Sequence, residues 1–241
     1  MIEKSRGIVL HTLKHSDSGI ISQIFTEGHG RLSFMVRGVN SRKGSTRKVY
    51  FQPLQILDIE FYYRESRDLQ NIKEINSAYN FSSIPYEIKR NTVALFISEI
   101  LYRSLPEKEP NKELFNYLSE SIRYFDTTNN TSANFHLGFL VGFARFLGIA
   151  PQTVSTSEIN YFDMQNGIFT RNIPVHGLYF DTDQSEIFSL FLKSSIEECE
   201  LIMLSGNIRN RFLKNMLNYF SLHLPGIKNI KSLDILIELF G

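Results

Sequence analysis

The sequence predicts an α+β fold in which a small five-stranded β-barrel of the OB type precedes an α-helical body. Short runs of alternating apolar residues, separated by glycine-rich turns, fill the first third of the chain. From Ser83 onward the apolar residues follow the 3.6-residue period of helices. We therefore expect a barrel domain over residues 1–80 and a helical domain over residues 81–241, with a small β-hairpin inserted at about 158–172.

Five segments in the first third are predicted as strands. The third segment shows the clearest alternation, with Leu32, Phe34 and Val36 on one face. Five short strands curved by glycines favour a closed barrel, and OB-type barrels often bind single-stranded nucleic acids. Because small barrels also serve other purposes, the fold alone does not give a function. The predicted strands are Gly7–Lys14, Ile20–Thr26, Arg31–Gly38, Leu54–Tyr63 and Leu69–Asn80.

The helical region begins with residues 86–104, which are apolar nearly all round, as in a buried helix. Pro106 and Pro110 end this helix and precede the next. Phe135–Leu147 forms a third helix, where the spacing of Gly138 and Gly142 favours close helix packing. The second and a later helix are predicted from the apolar stripes Leu114, Phe115, Leu118, Ile122, Phe125 and Phe212, Leu213, Met216, Leu217, Phe220, Leu224.

Two local signals punctuate the last third of the chain. Asn166-Gly167 lies between two apolar runs and predicts a β-hairpin with a type I′ turn. Asp183, followed three residues later by Glu186, predicts the N-terminal capping pair of a helix. Asp181 and Asp183 have the chemistry to hold a hard cation, but a helix cap is the simpler interpretation.

Charge is unevenly distributed along a chain whose formal net charge is only +1. Residues 1–80 hold 12 Lys or Arg against 8 acids, whereas residues 151–241 hold 7 against 10. No acid occurs between Glu27 and Asp58. That acid-free basic segment is predicted to bind the phosphate backbone of a nucleic acid through Arg31, Arg37, Arg42, Lys43, Arg47 and Lys48.

The alternative is that the basic segment has no ligand and is a solvated loop, since a run of charges is usually solvated. Its middle is rich in Gly, Ser, Asn and Thr, so a flexible loop could follow a phosphate backbone without steric penalty. Lys14 and His11 could extend this phosphate-binding track. Tyr50 and Phe51 could stack on bases, although packing in the core is the favoured interpretation.

The search for catalytic and cofactor motifs is negative. The sequence contains no GxGxxG, GxxxxGK[ST], GxSxG or HExxH, and its six histidines do not pair at ligand spacing. The single cysteine, Cys199, excludes an internal disulfide and a tetrathiolate zinc site. Because these motifs are missing, we expect a protein that needs no cofactor and is not an enzyme. The sequence also has no signal peptide and no apolar membrane span, so we expect a cytoplasmic protein.

The order of several short motifs resembles the RecO family of recombination mediators. Gly7-Ile8-Val9-Leu10, Gly30-Arg31-Leu32 and Gly38 before the basic segment resemble the start of that family. Phe51-Gln52-Pro53-Leu54, Leu105-Pro106-Glu107, Leu147-Gly148-Ile149-Ala150-Pro151 and Tyr219–Leu224 continue the resemblance, with Lys231-Ser232-Leu233 near the end. Each motif is weak alone, and their order and spacing give the weight.

The resemblance implies an N-terminal OB barrel, a helical C-terminal body and a non-catalytic function in DNA repair. Members of the family bind single- and double-stranded DNA and anneal complementary strands. With RecR they assist the loading of RecA onto DNA coated by single-strand-binding protein, whose acidic C-terminal tail they also contact. Many carry a four-cysteine zinc module after the third helix, but residues 152–170 here contain no cysteine, so zinc is not implied.

Two other functions stay open at this point. The chain could be a protein-interaction adaptor, because Arg209, Arg211 and Lys214 form a basic edge beside an apolar helix that could receive an acidic, phenylalanine-ended tail. An ordinary helix surface is the bland alternative for that edge. The barrel could also bind RNA, since nothing in the basic segment separates DNA from RNA.

Overall fold

A computed structural model describes residues 1–17, 19–38, 48–129, 133–151 and 160–240. The chain forms two compact units, Met1–Thr127 and Thr128–Gly241. The first unit combines a barrel with two helices. The domain boundary between residues 80 and 81, which we expect from periodicity, stays a prediction. Within the described ranges, no helix is both long and apolar enough to cross a membrane.

The first unit is built on a closed β-barrel with the strand order β1-β2-β3-β5-β4, which confirms the predicted OB-type fold. All neighbouring strands are antiparallel except β3 and β5, which pair in parallel. A single 3-10 turn, Val49–Phe51, precedes β4. The strands are β1 Ile2–Lys14, β2 Gly19–Thr26, β3 Gly30–Arg37, β4 Ile56–Tyr62 and β5 Leu69–Ser77.

Strand β1 is longer than the sequence pattern indicates, because its two halves pair with different strands. Ile2–Ile8 pairs with β4, and Gly7–Lys14 pairs with β2 across an irregularity between Val9 and His11. The first half is polar and therefore lacks the alternation that marks a half-buried strand. The barrel interior is filled by Val9, Ile20, Ile24, Leu32, Phe34, Val36, Phe51, Leu57, Ile59 and Phe61.

Two helices, α1 (Ile88–Ser104) and α2 (Lys112–Thr127), belong to the first unit. The five apolar residues predicted to line α2 are all buried. On the outside of the barrel, the ring centroid of Phe25 lies 6.2 Å from that of Phe115 in α2. The hydroxyl of Ser98 in α1 donates a hydrogen bond to the carbonyl of Leu10 in β1. The α1 helix, which packs against the barrel, is apolar on most sides, as its sequence predicts.

The link between β5 and α1 is fastened by Asp126, near the end of α2. Its carboxylate accepts hydrogen bonds from the backbone N–H groups of Ser82, Ser83 and Ile84 at 2.7 to 2.9 Å. The hydroxyl of Tyr79 donates a further bond at 3.1 Å. Burial raises the pKa of Asp126, but these backbone bonds outweigh it and leave the pKa below its ordinary value.

The second unit combines five α-helices with a three-stranded sheet, within the described part of the chain. The strand order is β7-β6-β8. The strands are β6 Tyr161–Asp163, β7 Ile168–Thr170 and β8 Tyr179–Phe180. The helices are α3 Phe135–Phe146, α4 Thr182–Lys193, α5 Ile196–Cys199, α6 Gly206–His223 and α7 Leu233–Phe240.

Phe162 of β6 is the centre of the aromatic core in this unit. Its ring centroid lies 4.8 to 5.2 Å from four other rings, in tilted or edge-to-face arrangements that aromatic pairs prefer. The four rings belong to Phe169, Phe180, Phe188 and Tyr219. Packing of this kind accounts for much of the high phenylalanine content of a chain that has no tryptophan.

Two local predictions in the second unit are wrong. The β6–β7 connection spans the four residues 164–167, and Gly167, unlike Asn166, has a positive φ, so the turn is not type I′. The carboxylate of Asp163 accepts the backbone N–H groups of Gln165 and Asn166 and shapes this wider loop. The N-cap of α4 is Asp181, which accepts from the N–H of Gln184, while Asp183 lies in the first turn.

Candidate nucleic-acid interface

The structure describes three of the six cations predicted in the basic segment. Arg42, Lys43 and Arg47 lie outside the described residues. Arg37 is the last residue of β3 and is exposed, and Lys48 is exposed immediately before the 3-10 turn. These two side chains therefore flank, in sequence, the part of the basic segment that lies outside the described residues.

Arg31 differs from the other cations of the segment because it is mostly buried. Its side chain is 14% exposed, and its Nη2 lies 3.4 Å from Oε1 of Glu107. The guanidinium also lies over the ring of Tyr102 in α1, 5.3 Å from the ring centroid. These contacts engage Arg31 within the unit and leave little of it for a ligand.

The two residues predicted to extend the track, His11 and Lys14, both lie on β1. The imidazole of His11 stacks on Tyr102 with a centroid separation of 4.6 Å. The ammonium of Lys14 is 3.9 Å from Asp17 in an exposed pair, which is weak in water. Lys14 is thus accessible at the end of the strand, whereas His11 is largely covered by a helix.

Several other cations of the barrel are paired with carboxylates on the strands. Arg6 donates two hydrogen bonds of 3.0 Å to Glu27, and this pairing raises the pKa of Arg6 and lowers that of Glu27. Lys73 and Lys4 both face Glu60, at 2.6 and 3.9 Å. A phosphate would have to displace these partners before it could bind these cations.

Four exposed cations of the barrel form no ion pair with the part of the chain that the structure describes. They are Arg37, Lys48, Arg64 and Arg67. Arg64 and Arg67 lie in the turn between β4 and β5. These two arginines are not predicted from the sequence as candidate binding residues. Glu65 and Asp68 alternate with these arginines, so the turn looks neutral in the sequence. The unpaired state of the arginines becomes visible only in the structure.

The aromatic pair Tyr50-Phe51 belongs to the barrel core, as the favoured interpretation predicts. Phe51 is buried in the interior cluster, and Tyr50 is partly buried against it. A buried ring cannot offer its face to a nucleic-acid base without leaving the core. The described part of this surface therefore offers mainly charge to a nucleic acid.

The basic edge predicted on α6 consists of three residues in different environments. Arg209 donates to the Asn134 side chain and to the carbonyls of Leu204 and Phe240 at 2.9 to 3.1 Å, so it is an internal clamp. Arg211 is exposed and pairs with Asp181, the N-cap of α4. Lys214 is exposed on the same helix.

A tetrathiolate zinc site does not fit this chain. Cys199 is buried against Gly138, and burial raises the pKa of its thiol to about 12. Such a thiol stays protonated and is a poor metal ligand. Across the described ranges, no group of three or more His, Cys, Asp and Glu residues has an arrangement that could hold a metal ion.

Two family models together match most of the chain. The model for the N-terminal part of recombination protein O matches residues 1–81. The model for the C-terminal part of recombination protein O matches residues 85–234. The first match coincides with the barrel, and the second begins just before α1.

Curated relatives with the same name match along their full length. DNA repair protein RecO of Phocaeicola vulgatus is 41% identical over 241 residues, covering 100% of both chains. The protein of that name from Bacteroides fragilis is 40% identical with the same coverage. The corresponding protein of Flavobacterium psychrophilum is 34% identical over 99% of both chains.

Proposed function

The chain belongs to the RecO family of DNA repair proteins, and from this premise we propose that it is a non-catalytic recombination mediator. It binds single- and double-stranded DNA and anneals complementary strands. With RecR it assists the loading of RecA onto DNA coated by single-strand-binding protein. The protein is located in the cytoplasm and associates with the nucleoid during repair.

Two exposed cations that form no ion pair within the described part of the chain are the observation that carries this proposal. Arg37 and Lys48 flank residues 39–47, which contribute Arg42, Lys43 and Arg47 and contain no acid. A carboxylate partner would neutralise a cation and compete with a phosphate, and neither flanking residue has one within the described chain. The segment is therefore suited to release counterions from a DNA backbone.

Annealing requires that two strands approach while their base edges stay accessible. Contacts to phosphates satisfy this requirement because they neutralise the backbone and leave the hydrogen-bonding edges free. Flexible Lys and Arg side chains can follow a strand that changes from single to double. The proposed mechanism is thus electrostatic, and no bond in the DNA is made or broken.

An annealing experiment tests this function. Two complementary labelled oligodeoxynucleotides, with and without single-strand-binding protein, are mixed with the wild-type chain or with Arg42→Ala/Lys43→Ala/Arg47→Ala/Lys48→Ala. We expect the wild-type chain to accelerate pairing and the variant to lose most of that acceleration. Equal rates with and without the wild-type chain would exclude the function. A matched RNA pair that anneals faster than DNA would favour an RNA-binding role instead.

We also propose that the exposed face of α6 contacts the acidic tail of single-strand-binding protein. Lys214 supplies positive charge, Arg211 can add to it by exchanging Asp181 for a carboxylate of the tail, and Ile208, one turn before Arg211, is 42% exposed. Charge beside an aliphatic side chain suits an acidic peptide that ends in phenylalanine. A tail peptide that binds Lys214→Ala/Arg211→Ala as tightly as wild type would contradict this contact.

A further inference from the structure

We propose that a pocket in the second unit binds the side chain of a tryptophan, which an extended segment of a partner protein carries. The pocket lies between the end of α3, the β6–β7 hairpin and α6. This inference goes beyond the proposed function, since it concerns no residue that is proposed to contact DNA. Its support comes from the fastening of the pocket walls, the chemistry of the lining and the edge strand beside it.

The pocket has a volume of about 590 Å³, which lies within the range of roughly 300–1,000 Å³ that is typical of ligand pockets. Three segments form its walls. They are residues 148–151 after α3, residues 166–169 of the hairpin, and the side chains of Tyr219 and His223 on α6. All three segments belong to the second unit, so the position of the barrel does not affect the pocket walls.

Two side chains of α6 hold the other two walls in place. The hydroxyl of Tyr219 donates a hydrogen bond to the carbonyl of Ile149 in the first wall. Nε2 of His223 lies 2.8 Å from the carbonyl oxygen of Met164, at the start of the hairpin loop. The two rings pack edge to face, with a centroid separation of 4.8 Å. Because each side chain is bonded to a different wall, the pocket is formed before a ligand arrives and less entropy is lost on binding.

Gly167 allows the hairpin to approach α6 closely. Its φ is +67°, and a Cβ at this position would lie 3.1 Å from the hydroxyl oxygen of Tyr219. Its N–H donates to the carbonyl of Asp163 at 2.9 Å, which fixes the loop against β6. A side chain at this position would push the hairpin away from α6. The glycine of the Asn166-Gly167 sequence therefore contributes to the geometry of the pocket wall.

The lining of the pocket is neutral and largely apolar. None of the described residues that line it is Asp, Glu, Lys or Arg. A charged ligand such as a phosphate would therefore lose its hydration without gaining a partner of opposite charge. The side chains of Ile149, Ile168 and Phe169 offer apolar contacts. Together with the rings of Tyr219 and His223 they favour an aromatic ligand, because aromatic pairs gain from tilted and edge-to-face contacts.

The second ring nitrogen of His223 selects a ligand that donates a hydrogen bond. A carbonyl oxygen can only accept, so Nε2 carries the proton that it donates to Met164, and Nδ1 of the neutral imidazole is an acceptor. Nδ1 forms no hydrogen bond with the part of the chain that the structure describes. A phenylalanine ring has no donor, whereas the indole N–H of tryptophan is a donor that usually finds a partner when it is buried. A phenol can also donate, but an indole fills more of the volume.

The strand beside the pocket indicates how the tryptophan is presented. β7 is an edge strand, because among the described strands it pairs with β6 alone. Ile168 and Phe169 of β7 line the pocket, and Ile168 is 54% exposed. An exposed edge of this kind can pair with an extended segment of another protein. The backbone of that segment would bind β7, and one of its side chains would enter the pocket as an anchor.

The test is a fluorescence titration of the full chain with short peptides blocked at both ends. Because the chain contains no tryptophan, emission excited selectively in tryptophan reports on the peptide alone. The first peptide has a central tryptophan between threonines. The second has phenylalanine in place of the tryptophan and is measured by competition. In the third, prolines replace the threonines, so that the residues beside the tryptophan cannot donate backbone hydrogen bonds to β7.

We expect the first peptide to bind with a Kd on the order of 0.1 mM. The phenylalanine peptide should bind about fivefold more weakly, and the proline peptide about tenfold more weakly, because each loses hydrogen bonds. Equal affinities of the tryptophan and phenylalanine peptides would overturn the choice of tryptophan. Equal affinities of the threonine and proline peptides would overturn the pairing with β7. If none of the peptides shows saturable binding, the whole inference fails.

Two variants locate the binding site. Ala150 lines the pocket, so Ala150→Leu should fill it and abolish binding. The matched control is Leu222→Ala, which removes a side chain that is 45% exposed, precedes His223 on α6 and is not among the described lining residues. The control should stay within about twofold of wild type. Equal binding by the two variants would overturn the inference. Neither variant alters the basic segment, so the annealing of DNA tests the proposed function separately.

The role of His223 is tested by combining a substitution with a change of peptide. His223→Phe should weaken binding of the tryptophan peptide and leave that of the phenylalanine peptide nearly unchanged, so that the preference for tryptophan is lost. An equal loss for both peptides would mean that His223 supports the wall and does not select the donor. Circular dichroism and thermal unfolding of each variant show whether the fold is retained.

Discussion

At the scale of single residues, His136 is a titratable group whose ionisation changes strongly on folding. It lies in α3, is 1% exposed, and its ring centroid is 5.6 Å from that of Phe240. Burial, assisted by the nearby positive charge of Arg209, lowers the pKa of His136 from 6.5 to about 3. Near pH 6.5 the unfolded chain begins to protonate His136, whereas the imidazole of the folded protein is still neutral at that pH.

This difference predicts a loss of stability in mild acid. Below pH 6.5 the unfolded chain binds a proton at His136 that the folded chain cannot bind until about pH 3, so unfolding is favoured as the pH falls. Between pH 6.5 and 4.5 protonation of His136 in the unfolded chain lowers the stability by about 2 kcal/mol. Urea unfolding of wild type and His136→Gln at several pH values measures it. Parallel pH profiles for the two proteins would contradict the prediction.

The candidate site shows what a sequence can and cannot predict about single cations. The acid-free segment identifies Arg37 and Lys48, and the structure leaves both exposed and unpaired within its described part. The same criterion also selects Arg31, whose partner Glu107 is 76 positions away along the chain. It omits Arg64 and Arg67 because acids adjoin them. Pairing depends on the fold, and local sequence does not reveal it.

At the scale of elements, prediction succeeds where the apolar period is long and regular. The α1, α2, α3 and α6 helices and the alternating strands have such periods, and they are confirmed. It fails where hydrogen bonds from a distant segment decide the boundary, as at the polar start of β1. The two-residue β8 and the four-residue α5 are too short to show any period. The predicted helix cap and hairpin turn differ from the structure by one or two residues, because hydrogen bonds of the Asp181 and Asp163 side chains set them.

The contact between α3 and α5 gives a prediction whose sign distinguishes two effects. A Cβ on Gly138 would lie 2.8 Å from Cβ and 2.9 Å from Sγ of Cys199. Helix propensity alone favours Gly138→Ala by about 1 kcal/mol, but overpacking typically costs about 1–3 kcal/mol. We expect a net loss of stability in chemical denaturation. Relief of that loss in Gly138→Ala/Cys199→Gly would identify the clash, whereas additive losses would contradict it.

At the scale of the whole molecule, the near-zero net charge hides a separation of charge along the chain. The first 80 residues carry an excess of four positive charges and the last 91 an excess of three negative charges. Such a chain is not attracted to DNA as a whole. Any affinity must come from the location of its cations, so removal of equal charge at different places should have unequal effects.

A charge-matched comparison measures this dependence on location. Replacement of Arg42, Lys43, Arg47 and Lys48 by alanine should lower the salt slope for single-stranded DNA by about 2.8, because each lost phosphate contact contributes about 0.7. The same loss of charge outside the basic segment should leave the slope near that of wild type. Equal slopes for the two variants would show that only net charge matters. The sites outside the segment are Lys4, Lys73, Lys89 and Lys193.

The parallel pairing of β3 with β5 has a consequence for how the barrel opens. Only three residue pairs join these strands, whereas seven join β1 to β4 and eight join β2 to β3. This seam should close last during folding and exchange its amide hydrogens first in the native state. A ligand bound across both strands would hold this seam closed, so hydrogen exchange at the seam would slow on binding.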